Sequence, residues 1–173
     1  MNFSSTTLQR LGPALAVALA LSTALALPAL AGGKADGHSH GPSHGMEETA
    51  IGKPGVAGKV NRTITIEMHD NMRFVPERIQ VRQGETIRFA LVNKGKVRHE
   101  LSLGTEQELK EHAELMKKFP TMEHDEPNSL TLDPGKRGAI IWQFTRAGTV
   151  QFACLMPGHF EAGMQGAVQV GKR

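Results

Sequence analysis

Polar and apolar residues alternate from Arg62 onward, where Thr63-Ile64-Thr65-Ile66-Glu67-Met68 puts every second side chain on one face, the pattern of a half-buried strand. The same period of two, or a short apolar run between turn residues, predicts strands over 78–82, 86–93, 98–103, 129–132, 138–144, 149–153 and 165–170. Gly84-Glu85, Asn93-Lys94-Gly95, Asp133-Pro134-Gly135 and Ala147-Gly148 supply the turns between them. Short strands at this spacing, with no alternating helices, predict an antiparallel sandwich or barrel. One segment breaks the pattern. Thr105-Glu106-Gln107-Glu108 is a capping box, and the chain from there to Phe119 suits a helix over about 105–119 that Pro120 ends.

The first sixty residues do not share this patterning. Met1 to Arg10 carries a single basic side chain, and the apolar run that follows ends in Ala29-Leu30-Ala31, which reads as a cleaved secretory leader over 1–31. Pro13 and Pro28 interrupt the run, and it is short of the roughly 20 residues of a membrane-spanning helix, so no stable membrane insertion is expected. Residues 32–59 are rich in Gly, His, Ser and Pro and predict a disordered tail. That leaves one domain over 60–173.

Charge narrows the function classes. The chain has 20 basic and 17 acidic side chains, of which only Arg10 falls in the leader. So balanced a mature chain lacks the concentrated basic patch that a nucleic-acid partner requires. Cys154 is the single cysteine, so no disulfide forms within the chain, and an unpaired thiol in an exported protein calls for a chemical reason.

That reason is legible in the loop Cys154-Leu-Met-Pro-Gly-His159-Phe-Glu-Ala-Gly-Met164, which sets a thiol, an imidazole and a thioether five residues apart between two predicted strands. A soft thiolate, imidazole nitrogen and a weak axial thioether form the ligand set of a mononuclear copper site. A second imidazole is missing from the loop, and His99, after the turn Asn93-Lys94-Gly95, is its natural supplier. Zinc also takes Cys and His, although a thioether suits it poorly.

Together, "NKGKVRHE", "FACLMPGHFEAGM" and "FVPERIQVRQGETIRFALVN" resemble the cupredoxins, the blue-copper proteins of the plastocyanin and azurin superfamily. The resemblance spans about 60–171. It implies an all-β Greek-key sandwich and one type 1 copper, cycling between Cu(I) and Cu(II), on His99, Cys154, His159 and Met164. Two positions depart from the family pattern: Glu100 stands where many electron carriers have Asn, and Leu155 follows the thiolate.

Other soft donors exceed what one copper needs. His38, His40, His44 and Met46 in the tail form a candidate copper-capture array; the bland alternative is a low-complexity linker. His112 and Met116, four apart on one helix face, together with Met122 and His124, form a candidate second copper site, against an alternative of amphipathic packing and a solvated face. Met68, His69 and Met72 are a third group, with Met68 expected in the strand core. The tail and "FPTMEH" bring the resemblance closest to the CopI-type periplasmic cupredoxins of copper tolerance, which implies a periplasmic copper-handling role. Outer-sphere electron transfer to a periplasmic redox protein, docking on an apolar rim of Leu155, Met156, Pro157 and Phe160, is the alternative. An oxidase or nitrite reductase would need a second, open copper built from several histidines, and the folded part has no His-x-His pair, so no enzyme is expected.

Overall fold

A computed structural model of the chain describes residues 48–120 and 126–173. Among the described residues the chain runs β1 (Lys53–Pro54), β2 (Arg62–His69), β3 (Arg73–Val75), β4 (Arg78–Arg82), β5 (Thr86–Asn93), β6 (His99–Gly104), α1 (Glu106–Lys118), β7 (Ser129–Leu132), β8 (Arg137–Gln143), β9 (Gly148–Ala153) and β10 (Gln165–Gly171). Two five-stranded sheets form, in the orders β1-β8-β5-β2-β3 and β4-β10-β9-β6-β7. The expected all-β sandwich is therefore present, and every predicted strand lies within a residue or so of its observed bounds.

The expectation of purely antiparallel pairing needs correcting. β2 runs parallel to β5, and β10 parallel to β4. Parallel neighbours cannot be joined by a tight hairpin and need a crossover. Here the chain supplies one by leaving the first sheet after β3, adding β4 to the second and returning as β5.

Inward side chains of both sheets meet in one apolar layer. Ile66, Met68, Phe74, Ile87, Phe89, Leu91, Leu101, Phe152 and Val168 are fully buried there, and Phe74 meets Phe152 edge to face with ring centroids 5.1 Å apart. The strict alternation in β4, where Ile79 and Val81 point in and three polar residues point out, is the sequence pattern made visible.

A second correction concerns the segment before residue 60. Glu48 to Lys59 is part of the domain: β1 pairs with β8, Ile51 is buried in the core, and Trp142 Nε1–H donates to the Ile51 carbonyl at 2.9 Å. Its composition is tail-like, but one apolar side chain and a few backbone hydrogen bonds are enough to hold a short edge strand. The remainder of the expected tail and the whole expected leader lie outside the described residues.

The helix α1 has the predicted capping box. Thr105 Oγ1 accepts from Glu108 N–H at 3.2 Å, and Thr105 N–H donates back to Glu108 Oε2 at 2.8 Å. Leu109, Ala113 and Met116 form its buried face and pack with Ala153 and Leu155 in a small separate cluster. Every residue of β6 is buried, although its sequence HELSLG alternates, because α1 covers its outer face. Gly104 permits the approach: a Cβ there would stand 2.9 Å from Leu109 Cγ. Thr105→Ala is expected to lower stability by about 1 kcal/mol through loss of the cap, read as a shifted urea midpoint with an unchanged slope.

Candidate metal centre

His99, Cys154 and His159 converge at one end of the sandwich, and one ligand atom from each lies within 4.8 Å of the others. His99 opens β6, Cys154 follows the last residue of β9, and the two strands are hydrogen-bonded neighbours. Their ladder pairs Ser102 with Ala153 and goes no further. Beyond it, side chains replace the missing backbone partners. Glu100 N–H donates to Cys154 Sγ at 3.3 Å, and Leu155 N–H donates to Glu100 Oε2 at 3.3 Å. Ser129 Oγ donates to Glu100 Oε1 at 2.8 Å, so the buried carboxylate fastens the loop after β9 to β6 and β7 together.

The loop from Cys154 to Met164 closes on itself. Cys154 N–H donates to the Met164 carbonyl at 3.0 Å, Met164 N–H to the His159 carbonyl at 3.0 Å, and His159 N–H to the Met156 carbonyl at 2.9 Å. Gly158 and Gly163 both adopt a φ of 86°, the left-handed region that a Cβ disfavours. Arg73 in β3 clamps the far side, its Nη1 donating to the carbonyls of Ala162 at 3.1 Å and Gly163 at 3.3 Å. On the other flank Lys117 of α1 pairs with Glu161 at 2.8 Å, and Phe160 packs on the helix cluster. Met164 is fully buried, in the same core cluster as Cys154.

The donor atoms suit a metal. His99 is completely buried, and its Nδ1 has no hydrogen-bond partner among the described residues, a costly state for a polar atom unless something else takes its lone pair. Its Nε2 is occupied, 3.1 Å from Asp70 Oδ1. An ionised carboxylate only accepts, so Nε2 carries the proton and Nδ1 keeps a free lone pair. The rings of His99 and His159 lie with centroids 5.0 Å apart, and Cys154 Sγ is 3.3 Å from His159 Nδ1.

Burial pushes the Cys154 thiol up to about 12, although the N–H groups of Glu100 and Met156 pull the other way. The same loss of solvent, together with the neighbouring His99, holds His159 below the ordinary histidine range, against the opposing charge of Asp70. His159 is thus neutral and ready to donate at neutral pH, while Cys154 gives up a proton when a metal binds. The metal-free chain is expected to lose stability as pH rises through the ordinary thiol range near about 8.5. There the unfolded thiol releases a proton that the folded one keeps, so unfolding is favoured. Urea midpoints of the wild type and Cys154→Ala across that range check this: the wild type falls more steeply, by the slope that the thiol contributes.

The comparisons with known proteins place the chain in a copper-binding family. A sequence profile of copper binding proteins, plastocyanin/azurin family, matches residues 60–171. The chain belongs to that family. Within it the chain is of the CopI type: it is 50% identical over 123 residues to the copper-resistant cuproprotein CopI of Rubrivivax gelatinosus, covering 71% of this chain and 74% of the relative. It is 37% identical to that of Pseudomonas aeruginosa, covering 70% and 82%. Auracyanin B shares the fold at 22% identity, with a TM-score of 0.57 over 69% of this chain and 95% of its own. The dithionite-reduced auracyanin of Roseiflexus castenholzii does so at 23%, with a TM-score of 0.55 over 65% and 98%.

Elsewhere in this cupredoxin the expected extra donors fall partly inside and partly outside the described residues. Met116 is 4% exposed inside the helix cluster, and His112 is half-buried on the same helix. Met122 and His124 lie outside the described residues, as do His38, His40, His44 and Met46. Met68 is fully buried core, as expected, and His69 Nε2 lies 3.2 Å from Glu67 Oε2. The expected apolar rim loses one member: Leu155 is 1% exposed because α1 covers it, whereas Met156 and Phe160 are half-buried and Pro157 is exposed. Pattern reading missed Asp70, and it read Gly95 only as part of a turn, not as the space in which Asp70 meets His99. Asp70 sits 29 positions before His99, and nothing in the local sequence MHDNM marks it as a partner.

Proposed function

We propose that this cupredoxin binds a single type 1 copper through His99 Nδ1, Cys154 Sγ, His159 Nδ1 and the thioether of Met164, and serves copper tolerance in the periplasm. One observation carries the reading: His99, whose buried Nδ1 has no partner among the described residues, lies in a three-residue cluster with a thiol and a second imidazole. Copper bound there would supply a reversible one-electron couple, because a thiolate, two imidazoles and a thioether accommodate both Cu(I) and Cu(II). The chain's own residues fix the donors in advance. Asp70 holds one imidazole, Glu100 N–H points at the sulfur, and the loop hydrogen bonds space Cys154, His159 and Met164. A donor set with no open position favours holding or passing an electron over substrate turnover, so the protein is read as a non-enzyme.

The names of the relatives support the tolerance role, and the leader over 1–31 supports export. Electron delivery to a periplasmic redox protein is the second reading, favoured by the half-buried position of His159 beside exposed Pro157. The deciding experiment is the optical and electron paramagnetic resonance spectrum of the copper-loaded protein. A strong thiolate-to-copper band is expected, its energy reporting blue or green geometry; tightly bound copper without that band would sink the assignment.

A further inference from the structure

We propose that Asp70 is a positioning residue for the metal centre, orienting His99 through its Nε2–H and placing a negative charge against that imidazole so that the bound copper is biased toward Cu(II). The inference rests on the copper reading above and extends it to a residue outside the donor set.

Three observations carry it. Asp70 bridges two loops: Oδ1 accepts from His99 Nε2–H at 3.1 Å, and Oδ2 accepts from Lys96 N–H at 2.8 Å. It therefore ties the turn after β2 to the loop that delivers His99. Gly95, between them, leaves the space in which they meet. A Cβ at that position would stand 1.9 Å from Asp70 Oδ1 and 3.0 Å from His99 Nε2, so a side chain there would expel the carboxylate. Finally, His99 is fully buried and its other nitrogen has no partner among the described residues, so the Asp70 bond is what selects the tautomer that leaves Nδ1 free.

The electrostatic consequence follows from the geometry. A carboxylate on the far nitrogen of a metal-bound imidazole raises that ligand's basicity, which stabilises the more highly charged metal. Asp70 is partly exposed, with 38% of its side-chain surface open, so solvent screens part of its charge. The hydrogen bond to a buried ring retains the rest.

The test combines a metal-free and a copper-loaded measurement on the full chain. Nitrogen-15 NMR of the metal-free protein is expected to find His99 protonated at Nε2 with slow proton exchange, and exchange much faster in Asp70→Ala. Asp70→Asn retains one acceptor without the charge. In its copper-loaded form the thiolate band is expected to persist while the preference for Cu(I) over Cu(II) rises about tenfold, an increase in potential of about 59 mV. Gly95→Ala keeps the charge but displaces it, and is expected to move the potential in the same direction. Wild-type potential in both variants, with the band intact, overturns this inference alone, as does an Nδ1-protonated His99. A wild type with no thiolate band overturns the copper reading and this inference together.

Discussion

Cys154→Ala is expected to abolish the thiolate-to-copper band and to weaken copper binding by more than the 10–100-fold typical of losing an outer partner of a metal ligand. Cys154 is the only thiol in the chain and sits between the N–H of Glu100 and the imidazole of His159, so no other side chain can take its place. The fold should tolerate the change. Cys154 is fully buried, and the substitution removes one sulfur atom from a largely apolar surrounding, a loss near the typical value of about 1 kcal/mol. Native mass spectrometry of copper-loaded wild type and variant measures both outcomes. One copper in the first and none in the second is the expected result if the His99 cluster is the whole binding capacity. Copper retained by the variant would instead count what the remaining His and Met donors hold.

Phe152→Ala carries the largest expected cost to stability, about 3–5 kcal/mol, because it opens a cavity that the two sheets cannot collapse to fill. Phe152 is fully buried in β9, two residues before Cys154 and on the same inward face. Its ring meets Phe74 from the opposite sheet on one side. On the other it lies over Gly166 of β10, where a Cβ would come within 2.2 Å of Phe152 Cζ. A loss of that size is a large part of the roughly 5–15 kcal/mol by which a domain is stable. Urea unfolding of the metal-free variant checks it. Copper should restore part of the lost midpoint by mass action, since it binds the folded state. A midpoint within about 1 kcal/mol of wild type would show that the core relaxes around the lost ring.

Much of the fold is legible in the sequence because its information is local. The alternation in Arg78–Arg82 and in Arg62–His69 depends on which face of a strand is wet, and the helix start depends on a hydroxyl and a carboxylate three residues apart. The spacing of Cys154, His159 and Met164 is likewise a property of one loop. The buried outer face of β6 was not legible, because it depends on a helix that packs back across the strand, and neither was the burial of Leu155 for the same reason. Ile51 was hidden by its composition: a tail-like stretch gives no sign that its carbonyl receives the Trp142 indole N–H.

The sequence by itself determined the all-β class, the capped helix and a soft-donor loop awaiting one more imidazole. Only the tertiary structure decided that β6 and β9 lie side by side, which brings His99 to Cys154, and that Asp70 reaches His99 across the space beside Gly95. The reason is physical. Strand period and ligand spacing are set by bonds along the chain, whereas a charge set against a buried ring depends on which distant segments meet, and that is settled only when the apolar faces of both sheets close on one another.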